Sequence, residues 1–267
     1  MAQRIDSAMV ELGLAQSRER AKALIMEGVV LLDGIKVQKA SDTFREGQTI
    51  AIKENPIPFV SRGGLKLQKA IDQYDIMLDD RVCIDVGAST GGFTDCMLLH
   101  GAKKVYAVDV GYGQLDWKLR NDDRVICMER HNARLMEPGW FVESPSFASV
   151  DVSFISIKLI IPRLHECLSK TGEAVILVKP QFEAGRSKVG KNGVVRDAST
   201  HEDVLKDAIA FAVLSGFGIK AVDFSPITGP KGNIEFLLYI SKFDGEQDSE
   251  ATVEQAKRVV MSAHANL

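Results

Sequence analysis

Apolar and polar positions follow two different rhythms along this chain, and the change falls near residue 60. In the first part Ile5, Met9, Val10 and Leu12 recur at helical spacing, and Gly13 closes the pattern. Ser17 is placed to cap a second helix over residues 18–27 that buries Ala21, Leu24 and Ile25 and stops at Gly28. "VVLLDG", a turn at Asp33-Gly34 and then Val37 read as a strand and its return, and "TIAI" at 49–52 reads as a further strand. Two helices on a small sheet make a module over residues 1–54, too small to be an enzyme.

Residues 55–64, with Pro56, Pro58, Gly63 and Gly64, form a linker. From Leu65 the pattern changes to strands at 82–86, 105–110, 125–128, 148–152, 175–179 and 218–224, with helical stretches between most of them. That alternation predicts an α/β domain over 65–243, built on a parallel, doubly wound sheet. The stretch 233–242 follows the sixth strand too soon for a crossover helix, so it should pair antiparallel. Residues 244–267 read as a C-terminal tail, a partly exposed helix with no special role.

Composition narrows the class. With 267 residues, 45% hydrophobic and 26% charged, and a net charge of -3, the chain is an ordinary globular protein and not a disordered or fibrous one. No run reaches the roughly 18–20 apolar residues of a membrane span, and the acids in the first residues break any apolar leader, so a cytoplasmic protein without a membrane partner is expected. Cys83, Cys96, Cys127 and Cys167 are scattered and read as reduced, mostly buried thiols. The five histidines form no ligand cluster, so no metal is expected.

"CIDVGASTGGFTD", residues 83–95, is a strand, a glycine-rich turn and a helix start. Glycines allow the backbone to approach a ligand, and the helix N-terminus presents free N–H groups. The spacing from Gly87 to Gly91 and Gly92 is not that of a dinucleotide fold, and no G-K-[ST] follows. Asp109, ending the second strand, is placed to accept from both hydroxyls of an adenosine ribose, and Asp85 to hold a cationic ligand end. These features favour S-adenosylmethionine over a nicotinamide dinucleotide, because the former has no pyrophosphate to seat. The cofactor site is therefore assigned to Asp85, Gly87, Ala88, Ser89, Thr90, Gly91, Gly92, Phe93 and Asp109, with Asn132 and Ala133 beside the adenine.

At this point the sequence resembles known families in two pieces. Residues 4–50, with "RIDSAMVELGLAQSRERAKALIMEGVVLLDG", resemble the RNA-binding domain first described in ribosomal protein S-four. Residues 60–242 resemble the FtsJ class of RNA ribose 2'-O-methyltransferases, and "VSRGGLKL", "DVGASTGGFTD", "VDVSFIS" and "VKPQFEAGRSKVGKNGVVRD" together closely resemble the TlyA family, also named hemolysin A. The resemblance implies a Rossmann-like methyltransferase fold and a Lys-Asp-Lys-Glu catalytic tetrad, which falls on Lys66, Asp151, Lys179 and Glu235. It further implies that Lys179 deprotonates or orients a cytidine 2'-hydroxyl of ribosomal RNA as that hydroxyl attacks the sulfonium methyl. A lysine serves as a base at neutral pH only where burial or a neighbouring cation such as Lys66 favours the amine, and Asp151 and Glu235 would oppose that.

The partner expected is ribosomal RNA or a ribosomal subunit. Residues 1–54 carry eight basic and eight acidic side chains, so RNA affinity there has to come from clustering of Arg4, Arg18, Arg20 and Lys22. Arg62, Lys66 and Lys69 follow without an acid, and the loop after Lys179 adds Arg186, Lys188, Lys191 and Arg196; its length suggests a mobile lid. Three other readings are weaker. A catalytically inactive ribosome-assembly protein would have no need of the complete tetrad, a cytolysin would need an inserting segment, and a dehydrogenase a different glycine spacing.

Overall fold

The computed structural model describes residues 2–15, 17–53, 57–242 and 249–267. Residues 54–56 of the linker region and 243–248 at the start of the expected tail lie outside the described residues. The chain forms two compact units, Met1–Pro58 and Phe59–Leu267.

In the first unit, β1 (Ala2–Arg4) leads into α1 (Ile5–Glu11), followed by α2 (Arg18–Glu27), β2 (Val30–Leu32), β3 (Ile35–Lys36), β4 (Thr43–Arg45) and β5 (Ile50–Ile52). Ser17 Oγ accepts the Arg20 N–H at 3.2 Å, and Gly28 takes a left-handed φ of 77°, so both ends of α2 are capped as the sequence predicts. The helices close over β3-β2-β5, and Ile5, Met9, Ala21, Leu24, Ile25 and Val30 are buried. Leu12, expected on the apolar face of the first helix, instead follows its last turn and is 55% exposed. A separate β1–β4 ladder was not foreseen, because three-residue strands are too short to show alternation.

Asp6 is fully buried in this unit and accepts from Arg4 Nε and Nη2, each at 3.0 Å, and from Arg18 Nη2 at 3.1 Å. The Arg4 hydrogen bonds, helped by Arg18 and opposed by burial, hold its carboxyl well below the usual carboxylate range.

The second unit runs α3 (Gly64–Tyr74), β6 (Val82–Val86), α4 (Gly92–Leu99), β7 (Lys104–Asp109), α5 (Trp117–Arg120), β8 (Val125–Glu129), β9 (Phe147–Val150), α6 (Ile161–Cys167), β10 (Glu173–Val178), α7 (Pro180–Glu183), α8 (Ala198–Leu214), β11 (Gly218–Phe224), β12 (Phe236–Ser241) and α9 (Ser249–Asn266). The seven strands lie in the order β11-β12-β10-β9-β6-β7-β8. Strands β6 to β10 pair parallel, and β12 runs antiparallel to both β10 and β11, as its short connection predicts. The chain order reverses between β6 and β9. Such a switch point leaves a crevice beyond the carboxyl ends of the strands. Strands β9 and β10 end at Val150 and Val178, earlier than their apolar runs suggest, so Asp151 and Lys179 are the first residues past the sheet.

The stretch read as a tail is in part a core element. Ala256, Val260 and Ala263, spaced to share one face of α9, are fully buried, and the helix packs on β11 and α8. All four cysteines are free; three are buried and Cys127 is exposed.

Strand β6 is buried at every position, Asp85 included. Its carboxylate accepts from Thr94 Oγ1 at 2.6 Å and Ser149 Oγ at 3.1 Å. Burial pushes the Asp85 carboxyl up to about 7, against those hydrogen bonds, which favour its charged form.

Two outcomes are expected. Because the Asp6 carboxyl is depressed, its contribution to stability holds above the ordinary carboxylate range and fades as pH falls below about 4. Asp6→Ala should remove that acid sensitivity and raise amide exchange across α1 and α2. Asp85 has the opposite sign, since its folded form binds the proton more tightly than the unfolded chain. Between about pH 4 and pH 7 the wild type should lose stability relative to Asp85→Asn, by at most about 4 kcal/mol, and the difference should level off above pH 7 in denaturant titrations.

Candidate active site

Two tightly packed glycines decide where Lys66 goes. A Cβ on Gly64 would fall 2.8 Å from Gly92 O, and one on Gly92 would fall 2.9 Å from Gly64 N, so α3 and α4 start in backbone contact. The Val60 N–H donates to Asp95 Oδ2 on α4 at 2.8 Å and fixes the approach. This brings the first turn of α3 over the carboxyl ends of β9, β10 and the start of β12.

There Lys66 Nζ lies 2.7 Å from Glu235 Oε2 and 3.5 Å from Asp151 Oδ2. Lys179 Nζ is 2.5 Å from Asp151 Oδ1 and donates to Ser153 Oγ at 2.9 Å. All four residues read as a tetrad from the sequence are thus joined in one chain of alternating charge. Lys66, Lys179 and Glu235 are 7%, 8% and 1% exposed, so none of them is a solvated surface charge. Burial works against the charged form of Lys66, but Asp151 and Glu235 together outweigh it and raise its pKa. Burial likewise opposes ionisation of Asp151, and the two lysines overcome it and lower the carboxyl below its ordinary value. Gly229 makes room for the arrangement, since a Cβ there would fall 2.6 Å from Glu235 Oε1.

Two adjoining cavities meet at Asp151. One, of about 240 Å³, is walled by the tetrad, Ser61, Arg62 and the turn from Gly87 to Thr90 with Gly92 and Phe93. The second, of about 470 Å³, is walled by Asp109, Val110, Gln114 and the segment from His131 to Arg134, and so includes Asn132 and Ala133. They share Gly87, Ser89, Asp151 and Ser153. Gly87 has φ +84°, and a Cβ on it would fall 2.5 Å from Asp151 O, so only glycine lets the turn lie against the residue after β9. Asp109 Oδ2 accepts the Ser89 N–H at 2.8 Å and Oδ1 the Gly111 N–H at 2.6 Å, which holds the carboxylate at the cavity wall. Asn132 Oδ1 accepts the Arg134 N–H at 3.1 Å and shapes the turn that carries Ala133.

Two residues expected at the ligand serve the scaffold. Asp85 lines neither cavity, because its strand is sealed on both faces and its carboxylate is taken up by Thr94 and Ser149. Gly91 lines neither as well; it is the helix cap that packs against Leu115 and Leu119.

The basic residues divide similarly. Arg62 is exposed at the rim of the first cavity. Lys69, expected at RNA, is a strut: Nζ donates to Asp223 Oδ1 at 2.9 Å and to Phe224 O at 2.7 Å, and sits 3.7 Å from the Phe224 ring centre. Arg4 and Arg18 converge on Asp6 while remaining about half exposed, 48% and 49%, and Arg20 and Lys22 lie on α2 beside them in sequence. Lys188 pairs with Asp203 at 2.9 Å on α8, whereas Lys191 and Arg196 are exposed. The long loop after Lys179 is tied down, unlike a loose lid. Asn233 Oδ1 accepts the Val195 N–H at 3.0 Å, Asn233 Nδ2 donates to Gly193 O at 2.9 Å, and Val194 and Val195 are buried.

Sequence reasoning passed over Ser153, Phe154 and Gln181. Phe154, Gln181, Phe182 and Arg186 line a third hollow of about 440 Å³, which shares Phe154 and Ile155 with the second. The apolar pair after Asp151 in "VDVSFIS" was the available signal, but it reads equally well as a buried helix start. Among the described residues no group of three His, Cys, Asp or Glu could hold a metal ion, and no helix is long and apolar enough to cross a membrane.

The chain matches the FtsJ-like methyltransferase family over residues 59–242 and the S4 domain over residues 3–50. It is 49% identical over 267 residues to the Bacillus subtilis protein YqxC, covering 99% of this chain and 95% of that one. It is 40% identical over 238 residues to the Mycobacterium tuberculosis 16S/23S rRNA (cytidine-2'-O)-methyltransferase TlyA, covering 89% of each. A solved structure from Streptococcus thermophilus that carries a hemolysin description matches with a TM-score of 0.80 and 49% identity, over 99% of this chain and 96% of that one. With the seven-stranded sheet and the tetrad gathered at its switch point, these matches show that the chain belongs to the TlyA family of FtsJ-like methyltransferases, an S4 domain preceding a Rossmann-like class I methyltransferase domain.

Proposed function

We propose that the chain methylates the 2'-hydroxyl of a cytidine ribose in ribosomal RNA, with S-adenosylmethionine as donor. The observation that carries this reading is the buried Lys66–Glu235 and Lys179–Asp151 pairing, set against the glycine turn where two cavities meet. The TlyA relative is named for that reaction, and the S4 domain supports an RNA substrate.

The second cavity suits the adenosine end of the donor. Its volume falls within the roughly 300–1,000 Å³ of small-molecule sites, the Asp109 carboxylate faces it, and the cradle at Gly87 would be filled by any side chain. Asp109 would accept from the ribose hydroxyls, Asn132 and Ala133 would lie beside the adenine, and the backbone of Ala88, Ser89, Thr90, Gly92 and Phe93 would meet the amino-acid end. When bound, the donor supplies a sulfonium methyl, an electrophile that needs no further activation.

The chain's own task is then to align the nucleophile. Lys179, fixed by Asp151 and Ser153, orients the 2'-hydroxyl; once its ammonium has shed a proton to solvent, the free amine takes the hydroxyl proton as the oxygen–carbon bond forms. Lys66 stays charged between Asp151 and Glu235 and holds both carboxylates in place. Arg62 at the rim and Arg186, Lys188 and Lys191 in the following loop would contact RNA phosphates, as would Arg4, Arg18, Arg20 and Lys22 of the S4 domain. A ribosomal substrate would put the protein with the ribosomes, in the cytoplasm.

The test is transfer of labelled methyl from S-adenosylmethionine to purified ribosomal subunits. Wild type should give a labelled 2'-O-methyl nucleoside. Lys179→Ala should lower the rate by roughly 10²–10⁴-fold while leaving donor affinity unchanged within a few fold. Loss of donor binding in that variant would make the lysine structural, and no label on any ribosomal RNA from wild type would refute the substrate.

A further inference from the structure

Asp151 and Lys179 sit where the sheet no longer holds their two segments together. Strands β9 and β10 pair from Phe147 opposite Glu173 to Val150 opposite Ile176, so both residues lie past the last rung of the ladder. On the side of β6 the Asp151 segment is anchored through its backbone: the Asp151 N–H donates to Val86 O at 2.9 Å, and Gly87 packs against the Asp151 carbonyl. Toward β10 the ties are made by side chains. One is the ion pair of Asp151 with Lys179, beside the hydrogen bond from Lys179 to Ser153.

Another is made by Glu183, the last residue of α7 and four positions after Lys179. Its Oε2 accepts the Ser156 hydroxyl at 2.6 Å and its Oε1 accepts the Ile157 N–H at 2.9 Å. One carboxylate therefore grips the segment after Asp151 at two adjoining points. Ile157 is 2% exposed, which roots that grip in the core. Phe154 and Phe182, with ring centres 5.2 Å apart, add a further contact between the same two segments. Glu183 lines none of the three cavities, so any part it takes in the chemistry is exerted through Lys179 and Asp151.

The two kinds of tie differ in how they respond to the Lys179 proton. While Lys179 is an ammonium, the Asp151 carboxylate attracts it and holds it in place. Once the proton is shed, the charge is gone and most of that attraction with it. The hydrogen bonds of Glu183 do not involve that proton and persist.

We propose that Glu183 is a positioning residue for the proposed methyl transfer, on which this inference rests: its clamp on Ser156 and Ile157 keeps the uncharged Lys179 amine in register with Asp151 while the 2'-hydroxyl reacts. A glutamine at this position separates clamp from charge. Its oxygen can accept the Ile157 N–H while its amide N–H donates to Ser156 Oγ, so both contacts survive without the carboxylate.

The experiment measures single-turnover methyl transfer across a range of ribosomal-subunit concentrations, with S-adenosylmethionine affinity by calorimetry, for wild type, Glu183→Ala, Glu183→Gln and Ser156→Ala. Glu183→Ala should lower the maximal rate roughly ten- to a hundredfold, the effect of misplacing a reacting group by about 1 Å. The half-saturating subunit concentration and the donor affinity should stay within a few fold of wild type. Glu183→Gln should retain most of the rate. Ser156→Ala should fall between, and adding it to Glu183→Ala should lower the rate no further, because both act on one clamp. A full rate in Glu183→Ala, a rate lost together with donor affinity, or Glu183→Gln as slow as Glu183→Ala would overturn the assignment, the last by making the charge the active feature. Where Glu183→Ala fails to fold, Ser156→Ala decides, and a full rate in that variant overturns the clamp. No label on any ribosomal RNA from wild type would instead overturn the methyl-transfer reading.

Discussion

The site depends on the carboxylate of Asp151, which stands between two buried ammonium groups. Two lysines less than a tenth exposed would each be costly alone, since a buried charge is tolerated only when paired and hydrogen-bonded. Here the charges alternate from Glu235 to Lys66 to Asp151 to Lys179, and the cluster is neutral as a whole. Removing either carboxylate would strand a cation, so the four residues act as one unit. Stability is not the best account of such a cluster, because buried ion pairs seldom improve on well-packed apolar residues. On the proposed methyl transfer, its value lies in fixing the Lys179 amine to within a hydrogen bond's tolerance before substrate binds.

That fixation is built from close backbone approaches. Gly87 lets the turn after β6 lie against the Asp151 carbonyl, Gly64 and Gly92 let α3 start on α4, and Gly229 clears the Glu235 carboxylate. Each glycine removes a Cβ that would push one member of the tetrad away from its partner. The parallel sheet supplies the rest, because strand ends on either side of a switch point converge on one crevice.

The two units use charge in different ways. In the S4 domain Asp6 gathers Arg4 and Arg18 around one buried carboxylate while leaving half of each arginine at the surface, which concentrates positive charge in a module with no net excess of it. In the methyltransferase domain Asp85 is buried without a cation, and neutralisation near pH 7 takes the place of pairing.

The sequence by itself determined the parallel sheet, its antiparallel last strand and the turn beside Asp109, because hydrophobic periodicity and glycine spacing are local signals. It also set Asp151 and Lys179 at the ends of buried strands, which the structure shows stopping one residue before each; resemblance to a family joined them to Lys66 and Glu235 as a tetrad. Several things were decided only by tertiary structure. A strand buried on both faces does not show in its alternation that Asp85 points into the scaffold and away from the crevice. The spacing of Ala256, Val260 and Ala263 in an acid-rich stretch becomes a core face only when β11 and α8 are there to receive it. Lys69 carries the same charge as Lys66, three positions earlier on the same helix, yet one braces Phe224 and the other enters the site. Sequence records which charge a side chain bears. Which partner it meets is settled by packing between segments as much as 169 residues apart, as for Lys66 and Glu235.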